Sequence, residues 1–182
     1  NFSGATAVNF GGVAAASFTI DSPTQISAVV GGGASGNVSV TTPVNTATYG
    51  GFTFIPGPVI GSVSPLNAAA GSVVTITGAG LSGATAVSFG GVPAASYTVI
   101  SPTQITAVVG AGTSGTISVT TPGGTATSSG FVFIPGPIIY SFTPTQGGIN
   151  TSVMLSGENF IGGMSVRFGG VSNTSLLILS ST

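Results

Sequence analysis

The sequence contains no cysteine and no histidine, and only three of its 182 residues are charged: Asp21, Glu158 and Arg167. Without cysteine, no disulfide can stabilise the fold, and no thiolate can bind a metal or act as a nucleophile. Charged residues make up 2% of the chain, against about 25% in an average soluble domain. Binding to nucleic acid needs several Lys or Arg side chains that displace counterions from phosphates. A single arginine therefore excludes nucleic acid as a partner.

The same shortage argues against catalysis. Proton transfer and covalent catalysis rely on residues such as His, Cys, Lys or paired carboxylates, and the many hydroxyls here have no base beside them. Asp21 and Glu158 fall in different copies of the repeat described below. A calcium ion, a common stiffener of extracellular rods, requires several carboxylates together. We therefore predict that this chain is not an enzyme and has no catalytic, cofactor-binding or metal-binding residue.

Long apolar runs are also missing. The longest, such as Leu176–Leu179, are far shorter than the roughly 20 residues of a membrane-spanning helix. The sequence starts at Asn1 with neither a methionine nor a basic and then apolar leader. We interpret it as an internal or processed piece of a longer protein.

What the chain does contain is a repeat of 79 residues. Phe10, Phe89 and Phe168 each precede a Gly-Gly pair and follow one another at that interval. Residues 2–58 and 81–137 are identical at 41 of 57 positions, whereas residues 59–103 and 138–182 share 14 of 45. This period is longer than the roughly 20 to 50 residues of a solenoid repeat and suits a domain with its own core.

Each copy consists of short segments in which apolar and polar residues alternate. The complete copy has seven such segments, separated by Gly or Pro turns, which predicts an all-β sandwich. The predicted strands are Ile60–Ser64, Val73–Thr77, Ala86–Phe89, Ser96–Ile100, Gln104–Val109, Thr116–Thr120 and Gly130–Ile134. The predicted inward-facing residues are Val63, Val74, Ile76, Val87, Phe89, Val99, Ile105, Val108, Ile117, Val119, Phe131 and Phe133.

Two glycine- and proline-rich motifs permit more than one interpretation. The Phe-Gly-Gly turn at Phe89 could be a phosphate-binding loop, but it lies between two strands instead of opening a helix, which favours a structural hairpin turn. The Ile-Pro-Gly-Pro segments Ile55–Pro58 and Ile134–Pro137 could simply end a strand. Because two prolines in four residues restrict φ, we interpret them as short linkers that hold neighbouring copies in a semi-rigid orientation.

Five motifs follow one another along the complete copy: Ile60–Pro65, Gly71–Gly78, Ala84–Gly91, Ser101–Ile105 and Thr121–Thr127. These motifs and their order resemble the IPT/TIG family of immunoglobulin-like domains. It implies tandem immunoglobulin-like β-sandwiches of about seven strands, as in bacterial cell-surface arrays. We expect a partial copy lacking its first strands at residues 1–57, a complete copy at 58–137 and a divergent N-terminal half at 138–182.

Two functions remain open at this point. The first is a structural segment of an extracellular or cell-surface filament, sheath or stalk. Its near-zero charge would favour self-association, with strand donation between subunits as one route because the first copy lacks strands that the third supplies. The alternative is an adhesin or carbohydrate-binding accessory module of a larger secreted protein. Sugar sites usually expose aromatic platforms, and the chain offers no Trp and three tyrosines, Tyr49, Tyr97 and Tyr140.

Overall fold

The structure, a computed structural model, describes residues 1–160, 165–172 and 177, and these contain β-strands and no helix. We refer to residues 1–57, 58–137 and 138–182 as the first, middle and third segments. The strands of the first segment are β1 (Ala7–Phe10), β2 (Val13–Ala14), β3 (Ser17–Ser22), β4 (Gln25–Val29), β5 (Gly36–Thr41) and β6 (Thr46–Phe52).

The middle segment is a two-sheet sandwich. Its strands are β7 (Val59–Ser64), β8 (Asn67–Ala69), β9 (Val73–Ala79), β10 (Ala86–Phe89), β11 (Val92–Pro93), β12 (Ser96–Ser101), β13 (Gln104–Val108), β14 (Gly115–Thr121) and β15 (Gly124–Ile134). One sheet has the order β11-β10-β14-β15-β8 and the other β12-β13-β9-β7. Neighbouring strands are antiparallel except for β8 and β15, which run parallel.

The core of the middle segment lies between these two sheets. At its centre the rings of Phe89 and Phe131 pack with their centroids 4.9 Å apart and their planes tilted by 43°. Burying each large apolar side chain contributes about 1.5 to 3 kcal/mol, so this cluster is the main source of stability. Its members are Ala68, Val74, Ile76, Leu81, Val87, Phe89, Ile105, Ala107, Val109, Ile117, Val119 and Phe131.

The seven predicted strands are all present, and two short ones, β8 and β11, add to them. The last strand begins six residues earlier than predicted, because β15 continues from the turn at Gly124 through a bulge opposite β14. One inward prediction was wrong: Val108 faces outward, and its neighbours Ala107 and Val109 are buried. Since side chains alternate along a strand, the buried Ile105 requires 107 and 109 to face inward, and 108 cannot.

The third segment contains β16 (Ile138–Thr143), β17 (Met154–Glu158), β18 (Arg167–Phe168) and β19 (Val171–Ser172). Leu176, Ile178 and Leu179 of the longest apolar run lie outside the described residues, as does the predicted end of this segment. Within the described part of the chain, no helix is long and apolar enough to span a membrane.

Strand registers recur at the same interval of 79 residues. In the first segment Phe18 pairs with Ala28 as Tyr97 pairs with Ala107. In the third, Phe142 pairs with Leu155 as Val63 pairs with Ile76. The strand pairs present in the first and third segments thus have the registers of the middle one.

Candidate functional site: a packed linker and an open groove

The linker Ile55–Pro58 is held by the first segment on one side. The backbone N–H of Phe54 donates a 2.9 Å hydrogen bond to Ser35 Oγ. The Phe54 ring lies over Gly33, where an added Cβ would come within 2.6 Å of Phe54 Cδ2. The chain is therefore anchored to the first segment up to Phe54.

The middle segment holds the other side of the same linker. Pro58 is buried, and a Cβ on Gly123 would lie 2.2 Å from the carbonyl oxygen of Pro56. Gly80, with φ of 66°, faces the Gly57 carbonyl, which would be 3.2 Å from an added Cβ. The carbonyl oxygen of Ile55 would also lie 2.8 Å from a Cβ on Gly123, so the middle segment holds the linker from the residue directly after Phe54.

The second linker, Ile134–Pro137, is anchored in the same way on its upstream side. Phe133 N–H donates a 2.9 Å hydrogen bond to Ser114 Oγ. Downstream the contact differs, because Asn159 stands at the position of Gly80 and also adopts a positive φ, 59°. Asn tolerates this left-handed conformation better than most residues. Its side-chain amide donates a 3.2 Å hydrogen bond to the Gly136 carbonyl.

The counterpart of Gly123 in the first segment is Val44, 79 residues earlier. Its side chain is 94% exposed. A Cβ at Gly123 would overlap the linker carbonyl, so Val44 could not contact a preceding Ile-Pro-Gly-Pro linker in the same geometry. The close backbone contact is thus a property of the joint between the first and middle segments.

The first segment has an open groove along β4. In the middle segment the equivalent strand, β13, lies between β12 and β9, and Ile105 and Ala107 are at most 1% exposed. In the first segment β3 and β4 form a sheet of two strands. Ile26 and Ala28, the counterparts of that buried pair, are only partly covered.

A cavity of about 420 Å³ opens beside them, and its walls include Val8, Phe10 and Val40. It lies where Val74 and Ile76 of β9 fill the middle segment. We call this cavity, together with the edge of β4 that has no strand beside it among the described residues, the open groove.

The third segment contains a small sheet with exposed apolar side chains. Its β16 and β17 form a two-stranded sheet that leaves several large apolar side chains exposed. These are Ile138 (46%), Ile139 (56%), Phe142 (50%) and Met154 (60%). The two strands are the counterparts of β7 and β9 of the middle segment.

The Phe-Gly-Gly motif is a hairpin turn, as the sequence predicted. It joins β10 to β11, with Phe89 paired to Val92. Gly90 has φ of 58° and lies so close to the Thr113 carbonyl that an added Cβ would be 2.0 Å from its oxygen. Thr113 Oγ1 also donates a 2.8 Å hydrogen bond to the Gly90 carbonyl. Gly90 is therefore packed against the Thr113 backbone, whereas a Cβ on Gly91 would meet nothing within 4 Å.

The two carboxylates lie in unrelated surroundings. Asp21 accepts a 2.6 Å hydrogen bond from Ser27 Oγ on the outer face of β4. Glu158 lies beside Tyr140, where hydrogen bonding to this carboxylate, with smaller effects of desolvation and charge, raises the pKa of the tyrosine. Across the described residues, no three His, Cys, Asp or Glu side chains are grouped as a metal site.

The three tyrosines differ in exposure. Tyr97 is partly buried and its hydroxyl donates a 3.1 Å hydrogen bond to the Ala84 carbonyl. Tyr49 is 84% exposed on β6, and Tyr140 is 64% exposed on β16. Tyr49 is therefore the most accessible aromatic ring that could contact a sugar.

Comparison with known proteins identifies the domain type of the middle segment. Residues 58–133 match the IPT/TIG domain family. This agrees with the resemblance inferred from the motifs and with the all-β sandwich. No curated protein sequence matches the chain.

Several solved structures are similar to part of this chain. One is an SGBP-B from a complex xyloglucan utilization locus in Bacteroides uniformis, at 21% identity over 74% of this chain and 43% of that one, with a TM-score of 0.41. Another is the surface glycan-binding protein PbSGBP-B from Prevotella bryantii, at 22% identity over 70% of this chain and 33% of that one, with a TM-score of 0.38.

A third is the SGBP-B of the Bacteroides ovatus mixed-linkage glucan utilization locus, solved with a mixed-linkage heptasaccharide. It is 19% identical over 76% of this chain and 41% of that one, with a TM-score of 0.34. The chain thus spans less than half the length of each of these proteins. At these identities and TM-scores, the likeness assigns no ligand and no residue role here.

Proposed function

We propose that this chain, whose residues 58–133 form an IPT/TIG domain, is a non-catalytic spacer of a larger cell-surface protein. Immunoglobulin-like copies at residues 1–57, 58–137 and 138–182 would hold neighbouring modules at a defined distance and orientation. Chemistry would be left to other parts of the protein, because the sequence offers only two carboxylates and one arginine and has neither His nor Cys.

The observation that supports this proposal is a linker in which Phe54 is held by the first segment and Ile55 and Pro56 lie against Gly123 of the middle one. A flexible tether would instead contain several residues that contact neither side. Two prolines within the linker restrict φ further.

The test is a distance measurement between spin labels. The absence of cysteine allows labels at Thr48→Cys and Thr98→Cys, both exposed, in an otherwise unmodified chain. We expect one narrow distance distribution, which should broaden when Gly-Ser-Gly-Ser is inserted after Ile55. A distribution that is already broad without the insertion would contradict a semi-rigid spacer.

A second candidate is an accessory module that contacts a polysaccharide, and the exposed ring of Tyr49 favours it. The names of the similar solved structures favour this candidate over a filament. Their TM-scores are too low to assign a ligand to this chain. Titration with xyloglucan and mixed-linkage glucan oligosaccharides tests it. Binding that Tyr49→Ala abolishes and Tyr140→Ala retains would support a sugar platform at Tyr49, and the absence of heat from every ligand would reject it.

A further inference from the structure

The N-terminal and C-terminal stretches of the middle segment are paired with each other directly. β8 runs parallel to β15, with Asn67 opposite Val132 and Ala69 opposite Ile134. Just before β8, the Leu66 carbonyl accepts a 2.9 Å hydrogen bond from the backbone N–H of Val132. The stretch by which the chain enters this domain is therefore hydrogen bonded to the strand by which it leaves.

The two linkers are connected to opposite ends of this strand pair. β15 starts at Gly124, next to the Gly123 turn that contacts Pro56 of the first linker. It ends at Ile134, where the second linker begins. Because β8 runs in the same direction as β15, the chain before β8 leads back to the first linker. Tension applied through the linkers therefore pulls β8 and β15 in opposite directions along their own axes.

A pull along the strand axis is the direction in which paired strands resist separation most. The hydrogen bonds of a ladder cross the gap between strands, so sliding one strand past its neighbour strains all of them together. Peeling the strands apart from one end breaks the same bonds one after another. β7, which follows the first linker, is loaded in the same sliding direction against β9, from the Val59–Ala79 pair to the Ser64–Thr75 pair.

Core packing opposes the same sliding motion. Ala68, the middle residue of β8, is 3% exposed and belongs to the core cluster. Phe133, which lies opposite Ala68, packs against that cluster. A slip of one residue would exchange the two faces of β8 and bring the exposed Asn67 to the core. Burying an unpartnered amide is unfavourable, so the register of this pair is held by side chains as well as by the backbone.

We propose that the β8–β15 pair is a mechanical clamp and that the middle segment bears tension along the chain. This inference rests on the spacer function proposed above and adds that the spacer carries load between the modules it separates. The first linker transmits load instead of absorbing it, because Phe54 is hydrogen bonded on one side and Ile55 lies against Gly123 on the other. Without cysteine, no disulfide shares the load, which falls on hydrogen bonds and core packing.

Single-molecule force spectroscopy of the 182-residue chain tests the clamp by comparing two directions of pull. Tethers at the two chain ends load the β8–β15 pair in the sliding direction. In that pull, the release of residues 59–134, which span at most about 27 nm when extended, identifies unfolding of the middle segment.

Tethers at Asn67→Cys and Ser129→Cys, both exposed positions, instead lie at the same end of the strand pair and peel it open. The sequence contains no other cysteine, so these tethers are specific. We expect the middle segment to unfold at a several-fold lower force in the peeling direction. Equal forces in the two directions would overturn the proposal.

A pair of proline substitutions tests the hydrogen bonds of the clamp. Val132→Pro removes the donor to the Leu66 carbonyl, because proline has no backbone N–H. Asn67→Pro is the matched control, since in this parallel register the N–H of Asn67 points away from β15. We expect Val132→Pro to lower the end-to-end unfolding force more than Asn67→Pro does, and the reverse order would overturn the proposal. If Val132→Pro does not fold, the two directions of pull still decide, because they keep every backbone donor of the pair.

Forced unfolding reports the unfolding barrier and not the equilibrium stability. Ile105 is fully buried on β13, in the other sheet. Ile105→Ala should therefore destabilise the domain in denaturant yet lower the end-to-end force less than Val132→Pro. A force that simply follows denaturant stability would overturn the clamp.

The clamp and the spacer fail separately in these measurements. A narrow distance distribution between labels at positions 48 and 98, together with equal forces in the two directions of pull, would overturn the clamp and leave the semi-rigid spacer intact. A broad distribution with a several-fold difference between the two directions would overturn the semi-rigid spacer and leave the clamp.

Discussion

Gly123 lies directly against the carbonyl oxygen of Pro56, at a distance that leaves no room for a side chain: an added Cβ would be 2.2 Å from that oxygen. The contact joins a turn of the middle segment to the linker that precedes it. Gly123 does not have a positive φ, so the backbone of the turn does not require glycine there. The close contact with the linker is what requires a residue without a side chain.

Replacement of Gly123 by Val should therefore loosen the joint while leaving the sandwich folded. We expect the spin-label distance distribution between positions 48 and 98 to broaden, with little change in the thermal unfolding of the middle segment. The reverse change at the equivalent position, Val44→Gly, is the control, because Val44 is 94% exposed. An unchanged distribution in Gly123→Val would show that this contact does not orient the segments.

Ile105→Ala and Ile26→Ala compare a filled core with an open groove. Ile105 is fully buried, and its truncation should lower the free energy of unfolding of the middle segment by about 2 to 5 kcal/mol. Ile26 is only partly covered beside the cavity, so its truncation should cost clearly less. Denaturant titrations followed by circular dichroism measure both, and equal costs would contradict the difference in burial between the two positions.

Tyr97→Phe should remove the hydrogen bond to the Ala84 carbonyl without removing the ring. The expected loss in the free energy of unfolding is about 1 kcal/mol, since the carbonyl loses a partner in a partly buried site. Tyr49→Phe is the control because that tyrosine is 84% exposed. A loss of the same size in both variants would indicate that the Tyr97 hydroxyl contributes nothing specific.

Glu158→Gln should lower the pKa of Tyr140. The Glu158 carboxylate raises that pKa mainly by accepting a hydrogen bond from the phenol, with smaller contributions from desolvation and charge. A raised folded-state pKa means that the contact stabilises the fold at pH values below the tyrosine's unfolded pKa, and that this stabilisation is lost as the pH rises through the folded pKa. Ultraviolet titration of tyrosinate measures the change, and identical curves for the two proteins would exclude the interaction.

Several features followed from local pattern. Period-two alternation placed all seven main strands, since the side chains of a strand face opposite sides of a sheet. The position of the Gly-Gly pair after Phe89, between two strands, indicated a hairpin, and Gly90 adopts the positive φ that such a turn uses. The same alternation, applied more strictly from Ile105, would have found Ala107 and Val109 and avoided the error at Val108. Ala107 was overlooked because a small side chain gives a weak hydrophobic signal.

Other features depend on contacts between distant residues. The sequence predicted that residues 1–57 are a partial copy, but it could not show the cavity of about 420 Å³ beside Ile26 and Ala28. It placed prolines in the linker, but not the contact of Pro56 with Gly123, because 67 residues separate the two partners. The short strands β8 and β11 were also not predicted, since two or three residues carry no periodic signal.

By itself, the sequence determined the chemical character and the fold class of this protein. The shortage of ionisable side chains, the 79-residue period and the alternating apolar pattern are all properties of neighbouring residues or of composition. Only the tertiary structure decided how the linker is held and which side chains form the core between the two sheets. Both depend on the distances between atoms far apart in the chain, and pairing across a sheet or a joint is set by three-dimensional packing, which no local pattern encodes.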